Sequence, residues 1–205
     1  MSVLEAVDVH KRFRRLQVLR GASISIEPGE VVGLVGENGS GKSTFLRILV
    51  GLLRSDQGTV TMNGKYGYCP QEPVVFDTLT MKENLAYFAA GYGLSADELQ
   101  QRSSELYDRL RCKGHTSNQV ANLSGGTRQK LNLIISLLHQ PTLLFLDEPY
   151  QGFDHESYRA FWDLADEFKR TGKSALIVSH MLIDRERLDR VYAIRDGRAI
   201  LEGKA

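Results

Sequence analysis

The stretch Gly36-Glu-Asn-Gly-Ser-Gly-Lys-Ser-Thr44 satisfies G-x-x-x-x-G-K-[ST] at every fixed position, the pattern of a loop that cradles phosphate groups. Gly36, Gly39 and Gly41 let the backbone turn tightly and bring its N–H groups against phosphate oxygens with no Cβ in the way. Lys42 can reach the β- and γ-phosphates of a nucleotide, and the Ser43 hydroxyl suits Mg²⁺. Asn38, Ser40 and Thr44 complete the loop. A second run, Leu143-Leu-Phe-Leu-Asp147-Glu148, ends an apolar segment in two carboxylates. Asp147 is placed to hold Mg²⁺ through water. Glu148, one residue on and free of the metal, can polarise an attacking water as a general base. In Leu123-Ser-Gly-Gly126, Ser124, Gly125 and Gly126 present a hydroxyl and bare N–H groups at the start of a helix, a second anion site in the same chain.

These groups need elements to hold them. Val31–Val35 is a short apolar run suited to a buried strand, and Thr44–Leu53 reads as a helix offering its positive N-terminal end to the phosphate loop. Leu143–Leu146 and Ala175–Val178 are continuously apolar, as expected of strands covered on both faces. Helical stretches lie between them, which predicts an α/β fold: a P-loop NTPase core around a central, mostly parallel sheet. An apolar strand ending at Asp147 then brings its carboxylate to the sheet edge where the phosphate loop lies. The early segments Val3–Val9, Ala22–Ile26 and Thr59–Met62, with Pro28-Gly29 and Asn63-Gly64 turn signals, predict an antiparallel β edge region. From about 72 to 140 the pattern turns helical. Ser95-Ala-Asp-Glu98 is a capping box opening a helix that runs towards Cys112. Leu131, Ile134, Ile135 and Leu138 recur at helical spacing before Pro141. A third helix, about His155 to Arg170, carries Tyr158, Phe161, Trp162 and Phe168 as core. The whole chain, 1–205, is expected to be one ATP-binding domain, with a core of about 1–71 and 141–205 and an inserted helical subdomain of about 72–140.

The 205 residues suffice for one domain or a core with one appended subdomain, and 42% hydrophobic with 25% charged residues is ordinary for a soluble protein. A net charge of +1 gives no basic field for nucleic acid. No apolar run reaches the roughly 18 residues of a membrane span. No basic segment followed by an apolar stretch opens the chain, so no signal peptide is expected. Cys69 and Cys112 have no CxxC partner, and reduced thiols in a cytosolic protein are the expectation.

With these motifs in this order, the chain resembles the ATP-binding subunit of an ABC transporter over nearly its whole length. The resemblance implies ATP and Mg²⁺ as ligands, and adds further site residues. Phe13 matches the adenine-stacking aromatic. Gln71, after Tyr68-Cys-Pro70, matches the glutamine that senses Mg²⁺, the γ-phosphate and the membrane partner. Leu123-Ser-Gly-Gly126 matches the signature sequence, and Pro149-Tyr-Gln-Gly-Phe-Asp154 the loop that crosses to the opposite subunit. His180, which alone would read as structural, matches the switch histidine that contacts the γ-phosphate.

The resemblance implies an ATPase working as a head-to-tail dimer, with a second copy of itself or a homologous subunit. Each ATP would lie between one phosphate loop and the partner's signature. Transmembrane permease subunits would be the other partners, met by the helical region after Gln71 that includes Leu79–Leu85, with this chain peripheral on the cytoplasmic face of the membrane. The resemblance is to the drug- and antibiotic-export branch, which implies export. The alternative is a soluble ABC ATPase of assembly-factor type. The 51 residues between Gln71 and Leu123 leave no room for a long coiled coil, which argues against the chromosome-maintenance class. Two departures stand out: Thr127 replaces the usual Gln after the signature and is expected to matter little for chemistry, and the crossing loop carries Tyr150-Gln-Gly-Phe.

Overall fold

The computed structural model describes residues 2–180 and 184–204. Among them nine strands form: β1 (Leu4–Phe13), β2 (Leu16–Ile26), β3 (Val31–Val35), β4 (Gln57–Met62), β5 (Tyr66–Cys69), β6 (Leu143–Asp147), β7 (Ser174–Val178), β8 (Arg190–Arg195) and β9 (Arg198–Lys204). The α-helices are α1 (Lys42–Leu49), α2 (Met81–Gly91), α3 (Ala96–Arg109), α4 (Gly125–Leu137) and α5 (His155–Arg170). The main sheet runs β5-β6-β7-β3-β8-β9, parallel except for β9. A smaller antiparallel sheet has the order β2-β1-β4.

Every residue of β3, β6 and β7 is buried, which is why their sequences are unbroken apolar runs. Successive side chains point to opposite faces. Val32, Leu34, Phe145 and Leu176 pack with Phe45 and Leu46 of α1 and with Leu4 and Ile24 of the small sheet. Val31, Val35, Leu144 and Ile177 pack with Leu131 and Ile134 of α4 and with Phe161 and Trp162 of α5. The architecture is therefore layered, with the main sheet in the middle.

The early β segments are longer than their apolar content suggests, because β1 and β2 pair as a hairpin from Leu4↔Ile26 to Phe13↔Leu16, with register shifts along the way. The strands β5 and β9 carry no clear pattern of their own. Tyr66-Gly-Tyr-Cys69 becomes a strand by pairing with β6, while α4 lies so close that a Cβ on Gly67 would sit 2.0 Å from the Ser136 carbonyl. Between Gln71 and Pro141 lie α2, α3 and α4. Thr80 with Glu83 and Ser95 with Glu98 close reciprocal capping boxes at the starts of α2 and α3.

Candidate functional site

Because β5, β6, β7 and β3 are parallel neighbours, their C-terminal ends emerge at one edge of the sheet. There β5 delivers Gln71, β6 delivers Asp147 and Glu148, β7 delivers Ser179 and His180, and β3 delivers the loop from Gly36 to Lys42. Most of them line a cleft of about 490 Å³, with Gly36, Ser40 and Ser179 outside its lining. Phe13, Asn38, Gly39, Gly41, Lys42, Ser43, Thr44, Gln71, Asp147, Glu148 and His180 all face it, so most of the residues singled out in the sequence are brought together. Phe13 is 45% exposed at its rim, with the Lys11 ammonium 5.6 Å from its ring centroid. Val18 of β2, which no motif marks, and Gln151 of the crossing loop also line the cleft.

The loop is built to hold an anion. At Gly41, with φ +106°, a Cβ would meet Val18 Cγ1 at 2.9 Å, and at Gly36 it would meet Ser40 Oγ at 2.7 Å. Both positions demand glycine for space and for conformation. Gly41 is the N-cap of α1, so no side chain caps the first turn, and no acidic residue lies in it. The Ser40 hydroxyl is buried with no hydrogen-bond partner among the described residues. The buried Lys42 turns its ammonium onto the loop carbonyls of Gly36 (2.6 Å) and Glu37 (3.0 Å). Free helix N–H groups, an unpaired hydroxyl and an ammonium on one concave surface fit a nucleotide's phosphates. Ser43, Gln71 and Asp147 add oxygen donors of the kind Mg²⁺ takes.

The carboxylates differ in environment. Burial, and then the charge of neighbouring Glu148, push the Asp147 carboxyl up to about 6, with Lys42, Arg47 and Ser43 partly opposing. Glu148 sits just beyond β6 in the left-handed region, with φ 47°. Its N–H still bonds the Val178 carbonyl at 2.9 Å, extending the β6–β7 pairing by one step. Its carboxylate is held from three directions: Ser179 Oγ donates to Oε2 at 2.9 Å, His180 N donates to Oε1 at 2.6 Å, and His180 Nδ1 lies 2.9 Å from Oε1. A strained, tightly oriented carboxylate beside a phosphate loop marks a site where geometry outranks backbone ease. Ser179 is the residue that motif reading missed; its only signal is its place before His180.

Ser124, Gly125, Gly126 and Asp154 do not line this cleft. They form a second cluster at the start of α4. Ser124 is its exposed N-cap, and Ser124 Oγ accepts the Thr127 N–H at 3.2 Å and lies 2.9 Å from Thr127 Oγ1. Thr127 thus touches the signature hydroxyl directly. Gly126 lies against the crossing loop, where a Cβ would meet the Gly152 carbonyl at 2.3 Å. Asp154 caps α5, accepting the Ser157 N–H at 2.7 Å, and that bond holds its carboxyl below the usual range. Tyr150 anchors the same loop, its ring edge-on to Tyr158 and Phe161.

The fold and the cleft define a P-loop nucleotide-binding domain. Residues 19–151 match the family described as ABC transporter. The chain is 31% identical to the linearmycin resistance ATP-binding protein of Bacillus subtilis, over 98% of this chain and 69% of that one. It is 34% identical to a Nod factor export ATP-binding protein of Burkholderia orbicola, over 96% of this chain and 69% of that one. A solved ATP-binding subunit of an ABC transporter superposes with a TM-score of 0.91 at 29% identity, covering 100% of this chain and 90% of that one. The chain belongs to the ABC transporter ATP-binding family, a family of ATPases. Among the described residues no helix is long and apolar enough to cross a membrane.

Proposed function

We propose that this chain is the ATP-hydrolysing subunit of an exporter, driving transport through separate transmembrane permease subunits from the cytoplasmic face of the membrane. The observation that carries the chemistry is the threefold grip of Ser179 and His180 on Glu148, beside Lys42 and Asp147 in one cleft. Glu148 is the general base, its carboxylate aimed by those donors so that it can accept a proton from an attacking water. His180 steadies that carboxylate and is free, being exposed, to turn towards the γ-phosphate. Lys42 and the loop N–H groups bind the β- and γ-phosphates, and Phe13 stacks on adenine. Ser43, Asp147 and Gln71 would hold Mg²⁺, which would supply positive charge to offset that of the phosphates.

The second cluster acts on the other nucleotide of a head-to-tail pair. Ser124, Gly125 and Gly126 lie outside the cleft of their own chain and expose a helix N-terminus, which suits contact with a partner's γ-phosphate. Asp154 ends the crossing loop, whose Gly152 lies against Gly126. Loss of the γ-phosphate removes the shared ligand and lets the pair open. Export rests on relatives that carry linearmycin resistance and Nod factor export in their names. The helical region 72–140 is the partner-facing subdomain. Its exposed Phe76 and Tyr87 meet edge to face, an apolar surface on that subdomain.

The test is Glu148→Gln, which preserves shape but accepts protons poorly. Hydrolysis should fall at least a hundredfold while ATP affinity stays within a few-fold. The same variant should dimerise in ATP and return to monomer in ADP, read by light scattering. Wild-type turnover in Glu148→Gln would remove the base assignment.

A further inference from the structure

The loop that carries Gln71 is anchored at both ends by buried asparagines. At its start, Asn132 of α4 is 3% exposed and donates from Nδ2 to the Pro70 carbonyl at 2.8 Å and towards Cys69 Sγ at 3.3 Å. At its end, Asn84 of α2 is fully buried. Its Oδ1 accepts the Phe76 N–H at 2.8 Å, and its Nδ2 donates to the carbonyls of Phe76 and Thr80, each at 3.0 Å. Between these anchors, Gln71, Glu72, Val74 and Val75 make no hydrogen bond among the described residues, and Pro73 has no N–H to give. The segment is a strap whose hydrogen bonds lie only at its two ends, with Val75 packed against the core between them.

A buried amide that meets backbone acceptors fixes position sharply, because moving it leaves desolvated polar groups unpaired. The strand β5 has already ended at Cys69, so no sheet partner holds the Pro70 carbonyl; Asn132 takes that place. It sits on the helix that begins at Ser124, two turns further along. Gln71, next in the chain after Pro70, faces the cleft with its own side chain unpaired. Asn132 gives the hydrogen bond from α4 that holds the carbonyl just before Gln71, beside the looser Gln129 contact to Cys69 and the packing of Ser136 on Gly67.

We propose that Asn132 is the positioning residue for Gln71, tying the signature helix to the cleft, with Asn84 fixing the far end of the strap beside the exposed Phe76. This rests on the reading of Gln71 as a contact to the nucleotide and its Mg²⁺. Steady-state ATPase should be measured against ATP and Mg²⁺ for Gln71→Ala, Asn132→Leu and the double variant, with Asn132→Ala as a smaller replacement and thermal unfolding of each. Asn132→Leu should lower kcat about tenfold, as mispositioning one active-site group does. KM for ATP should stay within about twofold, because Lys42 and Phe13 are untouched. In the Gln71→Ala background Asn132→Leu should add nothing, since the two act on one contact. Ile134→Val, a buried change on the same helix that removes no polar group, should lower stability and leave kcat alone.

Wild-type kcat in a folded Asn132→Leu or Asn132→Ala protein would overturn the proposal. So would a double variant falling multiplicatively below both singles, or failure of both Asn132 variants to fold. Wild-type kcat in Gln71→Ala would instead remove the reading of Gln71 on which the proposal rests.

Discussion

Asp147 should cost the ligand-free protein stability, and replacing it should make the fold stronger while destroying its use. The carboxyl is buried and adjacent to Glu148, which together raise it from 3.8 to about 6. The folded chain therefore keeps a proton on Asp147 through a pH window in which the unfolded chain has already released it. Raising pH through that window costs stability, and above it the whole penalty is present. A difference of that size corresponds to a ceiling of about 3 kcal/mol. Asp147→Asn is close to isosteric and never ionises. Without nucleotide and in a chelator it should be more stable than wild type at pH 8 by up to that amount, or roughly 6–12 °C in Tm for a chain this long. The gap should shrink as pH falls through about 6 and vanish below about 4. Adding ATP and Mg²⁺ should reverse the order, because only the wild type gains the full stabilisation of binding. Thermal unfolding at a series of pH values, with and without ligand, reads all of this. A variant no more stable than wild type at pH 8, or a gap that ignores pH, would refute the account of Asp147 as a carboxylate held against its own preference.

Other outcomes follow from neighbouring geometry. Lys42→Ala removes the only ammonium facing the loop carbonyls among the described residues, and should weaken ATP binding at least tenfold in a direct titration, unlike Glu148→Gln. Gly126→Ala drives a Cβ to 2.3 Å from the Gly152 carbonyl, so signature helix and crossing loop must separate. It should cost about 1–3 kcal/mol in chemical denaturation and lower turnover by more than that loss alone explains. Thr127→Val deletes the hydroxyl 2.9 Å from Ser124 Oγ and should slow hydrolysis a few-fold at fixed protein concentration, with Thr127→Ser restoring it. Equal rates in all three Thr127 proteins would show that Ser124 orients without help.

Much of this protein is legible in the sequence, because its chemistry is carried by short contiguous motifs. A phosphate loop needs glycines at fixed spacing between a strand and a helix. Both requirements are local, so Gly36 to Thr44 declares itself without a structure. The buried strands Val31–Val35, Leu143–Asp147 and Ser174–Val178 are legible for a similar reason: cover on both faces demands an unbroken apolar run. Ser124 shows as a helix start through capping chemistry within a few residues.

Only the tertiary structure decides the rest. Which strands lie side by side is a matter of sheet order, and that order is what gathers Gln71, Asp147, Glu148 and His180 at one edge. Tyr66–Cys69 becomes a strand because β6 and α4 enclose it, with no periodicity of its own to announce it. The closeness of Gly126 to Gly152, of Ser179 to Glu148 and of Asn132 to Pro70 joins residues 26, 31 and 62 positions apart. Such pairings leave no trace in local pattern. They arise when packing fixes the distance between elements, and a buried polar group or a missing Cβ then permits one arrangement where many sequences would look alike.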